Sequence, residues 1–192
     1  MAMVRPREGG FCYTEREFEG MVHDVRAFAA AGVEGVVFGV LRPDGTVDSG
    51  RCKILLEAAR GMETVFHRAI DVTPDWRAAL DTLVELGFTR VLTSGQAPSV
   101  LFGAGTIWEM HERAAGRIQI LPGGGIRPAN VNEVIARTGC TQIHASAGSR
   151  RIDPSCQGNP EIHFGGALYP PEDQYSVTDQ TRVKSLLSQL EK

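Results

Sequence analysis

The sequence predicts an α/β protein built on a parallel β-sheet. Four short apolar runs each end in a polar cluster, and the clusters recur about every 25 residues, which is the length of one βα unit. A buried parallel strand is apolar along its length, so polar residues confined to its carboxyl end indicate a shared ligand-binding face. The clusters are His67-Arg68-Ala69-Ile70-Asp71, Thr93-Ser94-Gly95, Gly123-Gly124-Gly125 and His144-Ala145-Ser146-Ala147-Gly148.

The first half of the chain reads as alternating strands and helices. Residues 3–4 resemble the end of a strand, and Thr14, three residues before Glu17, has the spacing of a capping box that opens a helix ending near Gly32. An apolar strand at 35–41 closes in a Pro-Asp-Gly turn and precedes a helix at 51–59. A strand at 64–66 and a helix at 76–86, stopped by Gly87, continue the pattern.

The second half repeats this alternation and then departs from it. Strands are expected at 90–93, 118–121 and 142–145, and helices near 107–115 and at 130–138. Residues 149–176 are rich in Pro and Gly and are expected to form a long loop before the terminal helix. The stripe Val183, Leu186, Leu187 and Leu190 predicts that helix at 179–190. Six strands are therefore expected.

Composition narrows the class of protein. The 192 residues are 42% hydrophobic, enough for one domain with a sizeable core. The net charge of −3 is spread along the chain and the longest basic cluster is Arg150-Arg151, which argues against nucleic-acid binding and favours a small-molecule partner. Four separated cysteines, without a signal peptide or a membrane-spanning apolar stretch, predict a cytoplasmic protein with no membrane partner.

The positions of the glycines separate two types of parallel sheet. A doubly wound nucleotide-binding fold carries its Gly-rich loop after the first strand, whereas here Gly123-Gly124-Gly125 and Gly148 follow the last two. Phosphate-binding barrels use the loops after strands seven and eight. The glycines therefore favour a TIM-type (β/α) barrel that is incomplete, with about six βα units and the first two of eight missing.

His67, Arg68 and Asp71 are the candidate catalytic residues. An imidazole beside a guanidinium and a carboxylate is a titratable group with both signs of charge nearby, which suits proton transfer. Two structural alternatives stay open. His67 could instead satisfy backbone groups while Arg68 and Asp71 form an ion pair, or Asp71 could cap the turn before Pro74.

A second set of residues is predicted to form anion-binding loops. Consecutive glycines after a strand let backbone N–H groups approach an anion, and nearby hydroxyl and guanidinium groups add donors. Tight turns, helix caps and surface salt bridges are the structural alternatives. The candidates are Arg5, Thr93, Ser94, Gly95, Gly123, Gly124, Gly125, His144, Ser146 and Gly148.

In these stretches the sequence resembles the CutC copper-homeostasis family. The resemblance lies in Arg5-Pro6-Arg7-Glu8-Gly9-Gly10-Phe11-Cys12-Tyr13, Gly35-Val36-Val37-Phe38-Gly39, Thr64-Val65-Phe66-His67-Arg68-Ala69-Ile70-Asp71, Arg90-Val91-Leu92-Thr93-Ser94-Gly95, Leu121-Pro122-Gly123-Gly124-Gly125-Ile126, Ile143-His144-Ala145-Ser146-Ala147-Gly148 and Tyr175-Ser176-Val177-Thr178-Asp179. It implies a (β/α)8 barrel and a role in copper homeostasis. Family members carry two further βα units before the Arg-Pro-Arg segment, with their proposed copper-binding cysteines, so the chain is expected to be an N-terminally truncated member.

The resemblance also implies copper(I) as a ligand. Copper(I) prefers thiolate or thioether ligands, and Cys12 is the cysteine in a loop on the predicted ligand face, so it is the candidate metal ligand. Three functions stay open: a copper-binding protein, a TIM-barrel enzyme acting on a small anionic or phosphorylated metabolite, and an inactive truncated form. Because a barrel that lacks strands leaves sheet edges unpaired, a homo-oligomer that covers them is a further alternative.

Overall fold

A computed structural model describes residues 1–159, 161–162 and 173–190. These residues form two compact units. The first contains residues 1–126 and 133–144, and the second contains residues 127–132 and the described part of 145–192. None of the helices in the described ranges is both long and apolar enough to cross a membrane.

The first unit is built on a five-stranded parallel sheet. Its strands are β1 (Ala2–Met3), β2 (Gly35–Phe38), β3 (Glu63–Phe66), β4 (Arg90–Thr93) and β5 (Gln119–Pro122), and they lie side by side in chain order. Phe38 pairs with Phe66, and Phe66 in turn pairs with Val91. This in-order parallel arrangement is that of the predicted α/β barrel, although the sheet does not close on itself within the described residues.

Helices follow the strands of this sheet. They are α1 (Glu15–Ala30), α2 (Ser49–Ala58), α3 (Trp76–Leu86), α4 (Ala104–Ala114) and α5 (Val131–Thr138). The Thr14 capping box is confirmed, because the Thr14 hydroxyl accepts from the Glu17 N–H while the Glu17 carboxylate accepts from the Thr14 N–H. The predicted stop at Gly87 is also confirmed, with Gly87 at φ +81°.

Aromatic residues fill the core beneath β2 and β3. The Phe88 ring lies 5.2 Å from Phe38 and 5.4 Å from Phe66, centroid to centroid, and all three side chains are buried. The Phe66 and Phe88 rings are nearly perpendicular, at 86°, so this pair adds an edge-to-face contact to the burial of apolar surface. The strands are thereby fixed, and with them the loops at their carboxyl ends.

The predicted sixth strand at 142–145 is wrong in extent. His144 forms a single parallel bridge with Gly123, in which the His144 N–H donates to the Pro122 carbonyl at 2.8 Å. The neighbouring residues are half-buried or exposed. Ile143 is the one large apolar residue in this segment, too little apolar surface to hold a buried strand.

The second unit corrects the predicted loop at 149–176. Strand β6 (Gly148–Ile152) pairs antiparallel with β7 (Gln174–Thr178), a 310 helix spans Pro154–Gly158, and α6 (Gln180–Leu190) follows. Residues 160 and 163–172 of the predicted loop lie outside the described residues. Both strands are largely exposed and polar, so they lack the apolar alternation by which a strand is recognised. Their pairing joins segments that are far apart in sequence, which composition alone does not indicate.

Candidate functional site

The Asp71 carboxylate ties the end of β3 to the end of β4. A 310 helix, Arg68–Val72, follows β3 and carries Asp71, whose side chain is 7% exposed. Its Oδ1 accepts from the Thr93 hydroxyl at 2.5 Å and from the Gln96 N–H at 3.2 Å. The Ser94 N–H lies 3.1 Å from Oδ1 and 3.0 Å from Oδ2. With both oxygens engaged, Asp71 acts here as an anchor between two loops.

The Arg68 guanidinium is held by the same two loops. Its Nε donates to Asp71 Oδ2 at 2.7 Å, and its Nη2 donates to Ser94 Oγ at 2.6 Å. Ser94 Oγ also lies 3.0 Å from Asp71 Oδ2 and 2.7 Å from the Ala97 carbonyl, either of which can accept its one hydrogen. The Arg68 side chain is 43% exposed, so these contacts fix the orientation of a cation that solvent can reach.

Gly124 lies against this guanidinium. A Cβ atom on Gly124 would lie 3.5 Å from Arg68 Nη1 and 3.2 Å from Ser94 Cβ. Gly124 also has φ +107°, a conformation that side chains disfavour, and its carbonyl accepts from the Val100 N–H at 2.9 Å. Arg68, Ser94 and Gly124, which follow three neighbouring strands, therefore meet at one place. We call these three residues the Arg68 site.

The chemistry of the Arg68 site suits an oxyanion. Nη1 lies beside the space that a side chain on Gly124 would fill. A partly exposed guanidinium binds carboxylate or phosphate oxygens through charge-assisted hydrogen bonds. Because Asp71 and Ser94 already fix the guanidinium, little side-chain freedom is lost when an anion binds.

Several predicted anion donors are instead used inside the protein. The Thr93 side chain is buried, and its hydroxyl donates to Asp71 while accepting from the Gly95 N–H at 2.8 Å. The Gly123 N–H donates to the Thr93 carbonyl, and a Cβ there would lie 2.6 Å from Leu92 Cδ1. Thr93, Gly95 and Gly123 thus help to build the loops, and their predicted contribution to an anion site stays a prediction.

His67 is separated from Arg68 and Asp71, although the three are neighbours in sequence. It caps the 310 helix, so its ring turns back and Nδ1 accepts from the Ala69 N–H at 3.3 Å. The ring lies 4.7 Å from the Phe11 ring, and a Cβ on Gly39 would lie 2.6 Å from its Nδ1. Burial, with a smaller contribution from the charge of Arg5, lowers the pKa of His67 to about 4.

The two arginines after β1 have different surroundings. Arg7 forms a 2.5 Å ion pair with Glu17 and donates to backbone carbonyls of its own loop, as the structural alternative predicts. Arg5 donates to the Gly9 carbonyl at 2.7 Å, and its Cζ lies 5.0 Å from the centroid of the Phe11 ring. In residues 1–159, 161–162 and 173–190 it has no carboxylate partner, so its charge is available to a ligand.

The remaining predicted anion ligands fall in different places. His144 is exposed beside Gly123, and Gly125 has φ +85° with Ser99 Cβ 3.6 Å from the position of a Cβ. Ser146 and Gly148 belong to the second unit, where Gly148 pairs with Thr178 at the start of β6. Their predicted contribution to an anion site in the first unit stays a prediction.

Three residues of the site region were missed by sequence reasoning. Gln96 has φ +56°, and its side chain donates to the Thr73 carbonyl at 2.6 Å, which clamps the 310 turn. Tyr13 is buried at 4% exposure near Arg5, and Gly39 makes room for His67. The sequence does carry a signal for two of them. Tyr13 is one of the aromatic residues that follow the Gly-Gly loop, and Gly39 is a glycine directly after an apolar strand.

The described cysteine side chains do not build a copper site. Cys12 is exposed, and burial raises the pKa of the Cys52 thiol to about 12, which keeps it protonated. Cys140 Sγ lies 4.0 Å from His111 Nδ1, so this contact brings together only two atoms that could bind a metal ion. No group of three or more His, Cys, Asp or Glu side chains in the described ranges could hold a metal ion, and the side chain of Cys156 lies outside them. These residues therefore do not fit a resident copper ion.

Comparisons with known proteins agree with the sequence motifs. The model of the CutC family matches residues 1–149. A CutC protein of Treponema denticola is 50% identical over 190 residues, covering 99% of this chain and 77% of the relative. The human copper homeostasis protein cutC homolog is 42% identical over 184 residues, covering 96% of this chain and 67% of the human protein.

A solved structure agrees as well. The crystal structure of a protein described as CutC from Streptococcus agalactiae matches with a TM-score of 0.72 and 34% identity, covering 74% of this chain and 70% of that one. Family model, relatives and structure all cover most of the chain. The chain belongs to the CutC family.

Proposed function

We propose that the chain takes part in copper homeostasis, as the names of its human and mouse relatives state of those proteins, and that it does so by binding a small oxyanion. The observation that carries the second part is the Arg68 guanidinium, oriented by Asp71 and Ser94, with Nη1 beside Gly124. We further propose a cytoplasmic location, as the cysteine pattern indicates.

Binding is better supported here than proton transfer. Asp71 accepts hydrogen bonds on both oxygens from Arg68, Thr93, Ser94 and Gln96, so its carboxylate serves to hold the two loops together. The His67 side chain is buried and its pKa is lowered to about 4, which makes the imidazole a weak base at neutral pH. These contacts support the proposal that Arg68 is a positioned cation with Asp71 as its anchor, while the catalytic roles of His67, Arg68 and Asp71 stay predictions.

Direct copper(I) binding has less support. Cys12 is a single exposed thiol, and the described side chains supply no cluster of further ligands. Stoichiometric copper(I) binding that is lost in Cys12→Ser would favour that function over the one proposed. A homo-oligomer, which the unpaired sheet edges favour, could be checked in the same preparations by light scattering.

Titration calorimetry with inorganic phosphate tests the oxyanion site. Wild-type protein is expected to bind phosphate, and Arg68→Gln is expected to weaken binding by about tenfold or more, since it removes a charge-assisted hydrogen bond. Arg26→Gln, at an exposed position of α1, is the control that removes the same charge elsewhere. Equal phosphate affinity in wild type and Arg68→Gln, or no binding by wild type, would overturn the proposal.

A further inference from the structure

Two buried polar atoms have no hydrogen-bond partner among the described residues: one directly follows β3, and the other lies in the segment between β1 and α1. They are the Tyr13 hydroxyl and His67 Nε2, on side chains that are each 4% exposed. Native proteins pair nearly all buried polar groups, so an unpaired one indicates a missing water or ligand. Two of them in one region call for a common explanation.

The hydrogen bonds of His67 decide what its free nitrogen offers. Nδ1 accepts from the Ala69 N–H, so the proton of the neutral ring is on Nε2. The pKa of about 4 keeps the ring neutral at physiological pH. His67 Nε2–H is therefore a buried donor without an acceptor.

Arg5 is the cation whose charge acts on both groups, while Arg7 Cζ lies 5.1 Å from the Tyr13 ring alone. The Phe11 ring contacts both Arg5, with Cζ at 5.0 Å, and His67, with ring centroids 4.7 Å apart. Burial raises the pKa of Tyr13, and the charge of Arg5, whose guanidinium lies beside the Tyr13 hydroxyl, acts to lower it; the same charge acts to lower the pKa of His67. Because a guanidinium only donates, Arg5 leaves the Tyr13 O–H without an acceptor. Unlike Arg7, which Glu17 neutralises, Arg5 pairs with no carboxylate in the part of the chain that the structure describes.

We propose that Arg5, Tyr13 and His67 bind the carboxylate of a small ligand. All three groups can donate, and within residues 1–159, 161–162 and 173–190 none of them has an acceptor side chain, so the missing partner is an oxygen acceptor. One guanidinium with two neutral donors matches the single charge of a carboxylate better than the double charge of phosphate. This goes beyond the proposed function, because the ring of His67 turns away from Arg68 and the carboxylate site therefore does not use the Arg68 site.

Acetate is the probe for this carboxylate site. In ¹⁵N-labelled protein, the His67 Nε2–H resonance is followed by NMR while sodium acetate is added, with sodium chloride at the same ionic strength as the reference. We expect a saturable shift with acetate only. Arg5→Gln should weaken acetate binding by about tenfold or more, and Tyr13→Phe should weaken it less because the lost group is neutral. Arg26→Gln is the control for loss of charge.

The outcomes separate this proposal from the oxyanion proposal. No saturable acetate shift, or the same shift in Arg5→Gln, would overturn the carboxylate site. Phosphate titration of the same samples reports on Arg68 independently, because Arg68→Gln should keep acetate binding and Arg5→Gln should keep phosphate binding. Acetate binding without phosphate binding would contradict the proposed function and leave this site standing.

Discussion

Arg68 Nη2 donates to Ser94 Oγ at 2.6 Å, joining residues 26 positions apart at the ends of two neighbouring strands. The orientation of the guanidinium depends on both loops. The 310 helix after β3 supplies Arg68 and its ion-pair partner Asp71, and the loop after β4 supplies Ser94, which accepts from Arg68 and donates to Asp71. The parallel register of β3 and β4 brings these loops to one edge of the sheet. The candidate site is thus a product of the sheet topology.

Gly124→Ala is expected to weaken phosphate binding, because its Cβ would occupy the space beside Arg68 Nη1. Gly61→Ala is the matched control. Gly61 has φ +90°, close to the +107° of Gly124, but nothing lies within 4 Å of its Cβ position. Both variants should lose about 1–2 kcal/mol of unfolding free energy from backbone strain. Calorimetry should show loss of phosphate affinity in Gly124→Ala alone, and equal affinities would contradict the placement of the anion.

Asp71→Asn should lower the unfolding free energy by about 3 kcal/mol, since a neutral amide replaces a buried carboxylate that accepts from several donors. Urea denaturation measures this change. Asp24→Asn, at an exposed position of α1, should stay within about 0.5 kcal/mol of wild type. If the two variants were equally stable, Asp71 would not be the anchor of the two loops.

Gly39→Ala tests the packing of His67. An alanine Cβ would lie 2.6 Å from two atoms of the imidazole, so the ring or β2 must shift, at a cost of about 1–3 kcal/mol. Gly20→Ala, in α1 with open space around it, should instead stabilise the protein by about 1 kcal/mol. Thermal unfolding of the two variants should therefore move in opposite directions. A neutral Gly39→Ala would show that the ring lies elsewhere.

His67 should make stability depend on pH. Its pKa falls from 6.5 to about 4 on folding, so between these values the unfolded chain binds a proton that the folded chain does not. The stabilisation is complete above pH 6.5, declines as the pH falls, and is lost near pH 4, amounting to about 3 kcal/mol by the usual conversion. Urea denaturation of wild type and His67→Gln should differ by an amount that shrinks over this range. A constant difference would contradict burial of the neutral ring.

Much of the fold was predictable because its signals are local. The Thr14 capping box and the α3 boundaries at Trp76 and Leu86 are encoded within a few residues and match the structure. The pairing of β6 with β7 was not predictable, since both strands are polar and exposed and their partner is distant in sequence. Local sequence carries no signal for that contact.

The site shows the same division. The strand-end pattern identified the loops that hold Arg68, Ser94 and Gly124, and the structure brings these three together. The strand-end pattern could not show that Thr93 and Gly95 donate hydrogen bonds within the protein, or that the His67 ring turns away from Arg68. Both features depend on the direction of a side chain. Tyr13 was missed since its role depends on burial near Arg5 rather than on any spacing.

Crystals grown with selenate, an oxyanion that anomalous scattering can locate, would show whether the Arg68 site binds an anion. We expect an anomalous peak within hydrogen-bond distance of Arg68 Nη1, beside Gly124, and its loss in crystals of Arg68→Gln. A peak that persists in Arg68→Gln, or selenate bound only elsewhere in the wild-type crystals, would contradict this expectation.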